Sequence, residues 1–421
     1  MSRLRIISKK KVMSSWIWVL LYSIIIFLSV PAGNTIQKFI SDNFGIKAFI
    51  YIVLFVIAVS FISLIYFFLF RLKINAPSNY TWICIIAAIY IYFTLKLPNP
   101  VETVHFLEYG FLSYLLFKAL SHKIKDKSIY FTASLFALIV GTFDEILQWI
   151  VPKRMWDFQD IWLNGLSGGL FQILLWKGIK PKFINEKINA HSIKILTAAL
   201  AGSILILGLC ASNTPQRVIS YTTKMPFLSF LQNEEPMSEY GYEYRDPAIG
   251  VFYSRLSPKK LQNIDKTRGE EYAEILNGSV NKDYEQFLKE YNPISNPFLH
   301  ELRIHVFRRN RYFKKAKISS NSHTKKDFYF IAYKENLILK KYFTQTIQNS
   351  VYQWDANIIK ELRESIDEEQ FYESPVSNNL FTAFSEKSIW IAIFALIILL
   401  LMINIILHLR KRTSYLATEK R

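Results

Sequence analysis

The chain has 421 residues, 51% of them hydrophobic, and carries a formal net charge of +18. With a mean hydropathy of +0.16, it is too apolar for an ordinary soluble protein of its length. Two cysteines, Cys84 and Cys210, rule out a disulfide-rich scaffold, and the absence of any Cys-x-x-Cys pair argues against a zinc module.

Apolar runs occur near 14–30, 46–70, 80–97, 104–120, 129–150, 161–176, 193–211 and 388–409. A bilayer crossing takes about 20 largely apolar residues, so each run is read as a span. The expected fold is an all-α polytopic membrane protein of about eight transmembrane helices with an α-rich extracytoplasmic domain, in which some β structure is allowed. The expected organisation is a membrane module of about seven helices over 1–211, the extracytoplasmic domain over 212–387, and a C-terminal anchor with a basic cytoplasmic tail over 388–421. The first run ends Val30-Pro31-Ala32 and has the outline of a signal peptide. It is read as a retained span because further spans follow it.

The positive charge on its own suggests nucleic acid, but its distribution argues against that partner. Arg3, Arg5 and Lys9 to Lys11, then Arg71 and Lys73, Lys118 to Lys127, Lys177 to Lys194 and Arg410 to Arg421 fall on alternate connections. The basic excess therefore gathers on one side of the membrane, the positive-inside pattern. It predicts a multi-pass cell-membrane protein with both termini cytoplasmic and 212–387 outside. Cys84 and Cys210 then lie at different depths, too far apart for a disulfide.

Beyond the seventh span, 212–240 reads as a linker. Ser257-Pro258 reads as a helix start, with serine as cap and proline in the first turn. Helical stretches are expected at 269–277, 282–292, 298–316 and 334–350, and a strand is allowed at 327–333. The run HELRIHVFRRNRYFKKAK, from His300 to Lys317, is densely basic. Two readings stand for it: attraction to anionic lipid headgroups or wall polymers, or a helix face with acidic partners inside its own domain.

The chemistry concentrates in VETVHFLEYG (101–110) and GTFDEILQWIVPKRMWDFQDIWLNGLSGG (141–169). Ionisable groups at membrane depth are costly, so their default reading is a functional site. His105, Glu108 and Tyr109 share one helix face, as do Asp144 and Gln148, with Glu145 at the edge of that stripe. Arg154, Asp157 and Asp160 fill the following loop, and Asn164 lies one turn into the next span. All fall at the outer-leaflet end of their helices. Asp160 is expected to cap the sixth span, Asp157 to pair with Arg154, and Gly165, Gly168 and Gly169 to admit a close helix neighbour.

Such a set has three possible uses. It could bind a phosphate or ammonium headgroup, hold a divalent cation through oxygens, or run acid–base chemistry with His105, Glu108, Asp144 and Glu145. In the binding use Gln148, Arg154, Asp157, Asp160 and Asn164 are the ligand residues. Against these stands a buried polar network that only locks helices. No cofactor is evident, and a bound metal is not identified.

The two blocks resemble the VanZ-like family of bacterial membrane proteins. That family pairs a His-hydrophobe-x-x-Tyr motif with Asp-Glu-x-x-Gln and then Arg, Asp, Asn and Gly. The matching residues are His105 and Tyr109; Asp144, Glu145 and Gln148; and Arg154, Asp160, Asn164 and Gly168. Lys153 stands where the family commonly has glycine. The family is named for a member linked to teicoplanin resistance. The resemblance implies a role in the cell envelope or in glycopeptide-type resistance, with membrane lipids or lipid-linked precursors as partners. It implies no particular reaction, so lipid binder, membrane enzyme and scaffold all stand as readings, and a transporter is disfavoured by the lack of a matching charged set at inner-leaflet depth.

Overall fold

The computed structural model describes residues 2–74, 76–151, 154, 156–233, 236–366 and 370–419. In chain order the helices are α1 (Ser2–Phe44), α2 (Ala48–Tyr66), α3 (Pro77–Lys96), α4 (His105–Leu120), α5 (Ser128–Ile150), α6 (Phe158–Ile173), α7 (Ala190–Ala211) and α8 (Pro215–Lys224). Strands β1 (Tyr242–Asp246) and β2 (Gly250–Ser254) follow. Then come α9 (Pro258–Gly278), α10 (Tyr284–Glu290), α11 (Pro297–Ile318), α12 (Ser322–Tyr342), α13 (Thr344–Gln348), α14 (Ala356–Glu364) and α15 (Glu386–Glu419). The chain divides into two compact units: 1–212 with 225–237 and 389–421, and 213–224 with 238–388.

The first unit is an all-α polytopic bundle. Among the described residues, six helices are long and apolar enough to cross a membrane: Lys9–Phe44, Ala48–Arg71, Pro77–Lys96, Ser128–Ile150, Ala190–Ala211 and Glu386–Leu407. The runs at 104–120 and 161–176 become α4 and α6, each 16 residues. At 1.5 Å per residue each covers about 24 Å, short of a hydrocarbon core of about 30 Å. A 3-10 turn over Pro100–Val104 leads into α4, and a π-helical turn over Leu174–Ile179 extends α6.

Both short helices are enclosed within the bundle, as α5 is. Tyr109, Leu112 and Leu116 of α4 pack with Ile129, Ala133 and Ala137 of α5 in one core. Phe106, Leu163 and Leu170 join Tyr90 and Ile86 of α3 in another. The outer faces of α1, α2 and α15 carry exposed Leu, Ile and Phe, as lipid-facing surfaces do.

Helices α5 and α6 cross where side chains are missing. A Cβ on Gly168 would lie 2.9 Å from the Cβ of Ala137, closer than carbon atoms pack. Gly165 approaches Leu138, but a Cβ on Gly169 would meet nothing within 4 Å. The expected glycine contact therefore holds for two of the three residues. Both cysteines are free.

The second unit is α-rich with one antiparallel hairpin, β1–β2. Gly250 turns that hairpin at φ +111°, and a Cβ there would lie 2.1 Å from the carbonyl oxygen of Tyr372. Phe252, Leu261, Leu276, Phe287, Phe298, Leu302, Val306, Ile338 and Phe343 form its core. Three expectations change. The segment 327–333 is helical, inside α12, where Tyr329, Phe330 and Tyr333 at three-and-four spacing are buried. The stretch read as a linker carries α8 and a 3-10 helix over Pro226–Asn233. Ser257 starts α9 without a side-chain cap bond, leaving Pro258 as the start signal.

The basic stretch lies on α11. Arg303, His305 and Arg309 are buried, which the dense positive charge does not suggest. Glu335 of α12 is fully buried and accepts from Arg308 Nε at 2.9 Å, Tyr372 Oη at 2.6 Å and Ser374 Oγ at 2.9 Å. His305 Nδ1 lies 2.6 Å from its other oxygen. Burial pushes the Glu335 carboxyl up, but His305, Tyr372 and Arg308 outweigh it and hold the group below the ordinary carboxylate range. Arg309 donates to Asn336 Oδ1 at 2.9 Å and to the Tyr352 carbonyl at 2.6 Å, and stacks over Trp354. Much of the basic run is thus spent inside its own unit, and Arg311, Lys314 and Lys317 stay exposed.

Candidate functional site at one end of the bundle

The N-termini of α4 and α6 and the C-terminus of α5 meet at one end of the first unit. The basic connections between α4 and α5 and after α6 lie at the opposite end of these helices. Asp144, Glu145 and Gln148 form the buried stripe at the end of α5. The hydroxyl of Tyr109 donates to Asp144 Oδ2 at 2.9 Å, tying α4 to α5. Gln148 Nε2 donates to Glu145 Oε1 at 2.6 Å, one turn along the same helix.

Arg154 closes this end. Its Nη2 donates to Gln148 Oε1 at 2.5 Å, and its Nη1 donates to Asn34 Oδ1 of α1 at 3.3 Å. Gln148 therefore relays between the guanidinium and the Glu145 carboxylate. Asp157 forms no ion pair with Arg154: it caps α6, accepting from the amide of Gln159 at 2.7 Å. The expectation for Asp160 is corrected with it. Only one side chain fits the cap position, and Asp157, with extended backbone immediately before the helix, takes it.

Asp160, in the first turn of α6, instead joins His105 and Glu145. One ligand-type atom from each of the three lies within 4.8 Å of the others. His105 Nδ1 is 3.6 Å from Glu108 Oε2, and these two side chains are 14% and 25% exposed, so they form the rim. Glu145 and Asn164 are fully buried, and Asp144 nearly so. Asp144 Oδ1, Glu145 Oε2 and both amide atoms of Asn164 have no hydrogen-bond partner. Leaving a buried polar group unmatched costs about 1–3 kcal/mol. Several such groups at one place are the mark of a site built for something else to occupy.

Of the nine residues named from the sequence, hydrogen bonds join Glu145, Gln148 and Arg154, Tyr109 holds Asp144, and His105 lies near Glu108, Glu145 and Asp160, while Asp157 serves as the cap of α6 and Asn164 packs against Gly141. Lys153, the departure from the family pattern, lies outside the described residues. Sequence reasoning missed Asn34, which meets Arg154, and the neutral clamp beneath the site. There Tyr90 donates to the Ser167 carbonyl at 2.7 Å, and Ser167 Oγ donates to the Phe106 carbonyl at 3.0 Å. Ser113 Oγ donates to the Gly168 carbonyl at 2.9 Å, and Gln172 Nε2 to the Ser113 carbonyl at 2.9 Å. The available signal was neutral polar residues recurring within apolar runs, which mark interhelical contacts.

The VanZ/LLP1 family model matches residues 15–180, which include α3 to α6 and every residue of the site. No curated protein and no solved structure matches the chain.

Proposed function

We propose, from the premise that this chain is a VanZ-like integral membrane protein, that its polar site binds the head of a membrane lipid or lipid-linked envelope precursor. In this reading both termini are cytoplasmic, following the positive-inside rule, and the site opens toward the outer leaflet with 212–387 outside. The role would be envelope homeostasis or resistance to glycopeptide-type antibiotics. The observation that carries the reading is the pairing of the buried, unmatched Glu145 Oε2 and Asn164 amide with the partly exposed rim of His105 and Glu108. Arg154 would meet a phosphate, and the carboxylates an amine or cation.

The bonds from Tyr109 to Asp144 and from Arg154 to Gln148 favour a second reading, in which the network only locks helices. One experiment separates them. Envelope lipids and wall fragments are compared by mass spectrometry in cells lacking the protein, complemented with wild type or Glu145→Gln at matched abundance. A lipid species that wild type alone restores supports headgroup binding. If both versions restore the profile, and teicoplanin susceptibility with it, the site acts as a lock.

A further inference from the structure

We propose that His105, Glu145 and Asp160 bind a divalent first-row metal ion of the Zn²⁺ or Mn²⁺ kind. The proposal shares its pocket with the headgroup reading, and the measurements below let either fail alone.

The three donors come from three helices, so no local sequence motif places them together. Three ligands about 2.0–2.2 Å from one ion lie about 3.3–3.8 Å apart. The three atoms already lie within 4.8 Å of one another, so closing on an ion takes changes of about 1 Å between them, within the reach of side-chain rotation. Two features show more than a chance meeting of acids. Glu145 is fully buried with Oε2 unpaired, while its Oε1 is held by Gln148, which is in turn held by Arg154. This arrangement fixes one oxygen of a ligating carboxylate and leaves the other for the metal. Asn164 is the second feature, fully buried with its whole amide unmatched. It lies one turn from Asp160 on α6 and packs against Gly141, one turn from Glu145.

Charge points the same way. Asp144, Glu145 and Asp160 gather at the end of the bundle where Arg154 is held by Gln148. Several carboxylates around one guanidinium in a low-dielectric site call for more positive charge. The donor set selects the metal class. Imidazole with carboxylates suits Zn²⁺ and Mn²⁺, whereas Ca²⁺ takes six to eight oxygens and Mg²⁺ keeps most of its water. Three protein ligands leave positions open, and the exposed rim gives access to them. A phosphate oxygen is the natural occupant of such a position.

The test uses the full chain in detergent, stripped with chelator and titrated with Mn²⁺ under electron paramagnetic resonance. Wild type is expected to bind one equivalent, to release it to Zn²⁺, and to show modulation from an imidazole nitrogen. Glu145→Gln and Asp160→Asn should weaken Mn²⁺ at least about tenfold, the lower bound for loss of an outer-shell partner. His105→Gln should remove the nitrogen modulation. Glu186→Gln, on an exposed connection, should change nothing. Wild type that binds no Mn²⁺, or binds it without nitrogen modulation, overturns the proposal whether or not the variants fold. Unchanged affinity in all three folded ligand variants overturns it as well. Because no lipid is added, failure here leaves the headgroup reading to its own experiment. Conversely, metal binding in wild type stands even if Glu145→Gln restores the lipid profile.

Discussion

Gly141 of α5 faces Asn164 of α6 so closely that a Cβ on the glycine would lie 2.7 Å from the asparagine Cβ. The two helices therefore touch one turn below the acidic stripe, and the spacing of Glu145 from Asp160 depends on that contact. Asn164 is itself fully buried between the helices.

Gly141→Ala should accordingly push α5 and α6 apart. Overpacking of this kind costs about 1–3 kcal/mol. The purified variant should unfold at a lower temperature than wild type in the same detergent. An unchanged midpoint would mean that the crossing relaxes without cost.

Tyr109→Phe removes one hydroxyl and leaves Asp144 Oδ2 without its donor at 2.9 Å. Oδ1 already lacks a partner, so the carboxyl would lose its one side-chain tie to α4. The expected destabilisation is about 1–3 kcal/mol, read by thermal unfolding of the full chain. If Asp144→Asn is combined with it, the two effects should be less than additive, because both act on one bond.

In the second unit Glu335→Gln should be among the most damaging single changes. The carboxylate is fully buried against His305, Arg308, Tyr372 and Ser374. Removing one partner of a buried pair costs about 3–5 kcal/mol, because the other charge stays behind. Hydrogen exchange across α11 and α12 should accelerate strongly, with much less change in α4 to α6.

The same unit should lose stability on acidification. Burial, then the nearby Arg255 charge, lower His300 from 6.5 to about 4. The unfolded chain therefore takes up the proton first. The contribution is whole above pH 6.5 and is lost as pH falls toward 4. Glu335, also held low, is protonated more readily in the unfolded chain and adds to the loss below its ordinary value of 4.5. Exchange protection of α11, corrected for intrinsic rate, should fall between pH 7 and pH 4.5. His300→Gln should flatten the upper part of that fall.

The site was legible because charge is rare in apolar runs: Asp144, Glu145 and Gln148 stand out on α5 without any knowledge of packing. The join was not legible. That Asp160 turns to His105 and Glu145 depends on Asp157 taking the cap, and two aspartates three apart cannot be ranked by composition. Arg154 meeting Asn34 spans most of the module in sequence, and no periodicity encodes it. In the second unit, Pro258 marked the start of α9, while 327–333 misled because its aromatics suit a strand as well as a helix. The burial of His305 and Arg309 was hidden for a related reason, since a basic run shows its charge and not its partners.

One further consequence follows from the pairing of α7 with α15. Trp390 Nε1 donates to Ser212 Oγ at 2.5 Å, Asn404 Nδ2 donates to Thr197 Oγ1 at 2.8 Å, and Gly208 leaves room for Ile393. The two strands of chain that lead into and out of 213–388 are therefore clasped side by side. A segment whose ends meet in this way is a guest in its host's sequence, and closing the gap behind it takes little loop entropy. Evolution could exchange, enlarge or drop such a guest without redrawing the bundle, which would let one bundle carry different second units.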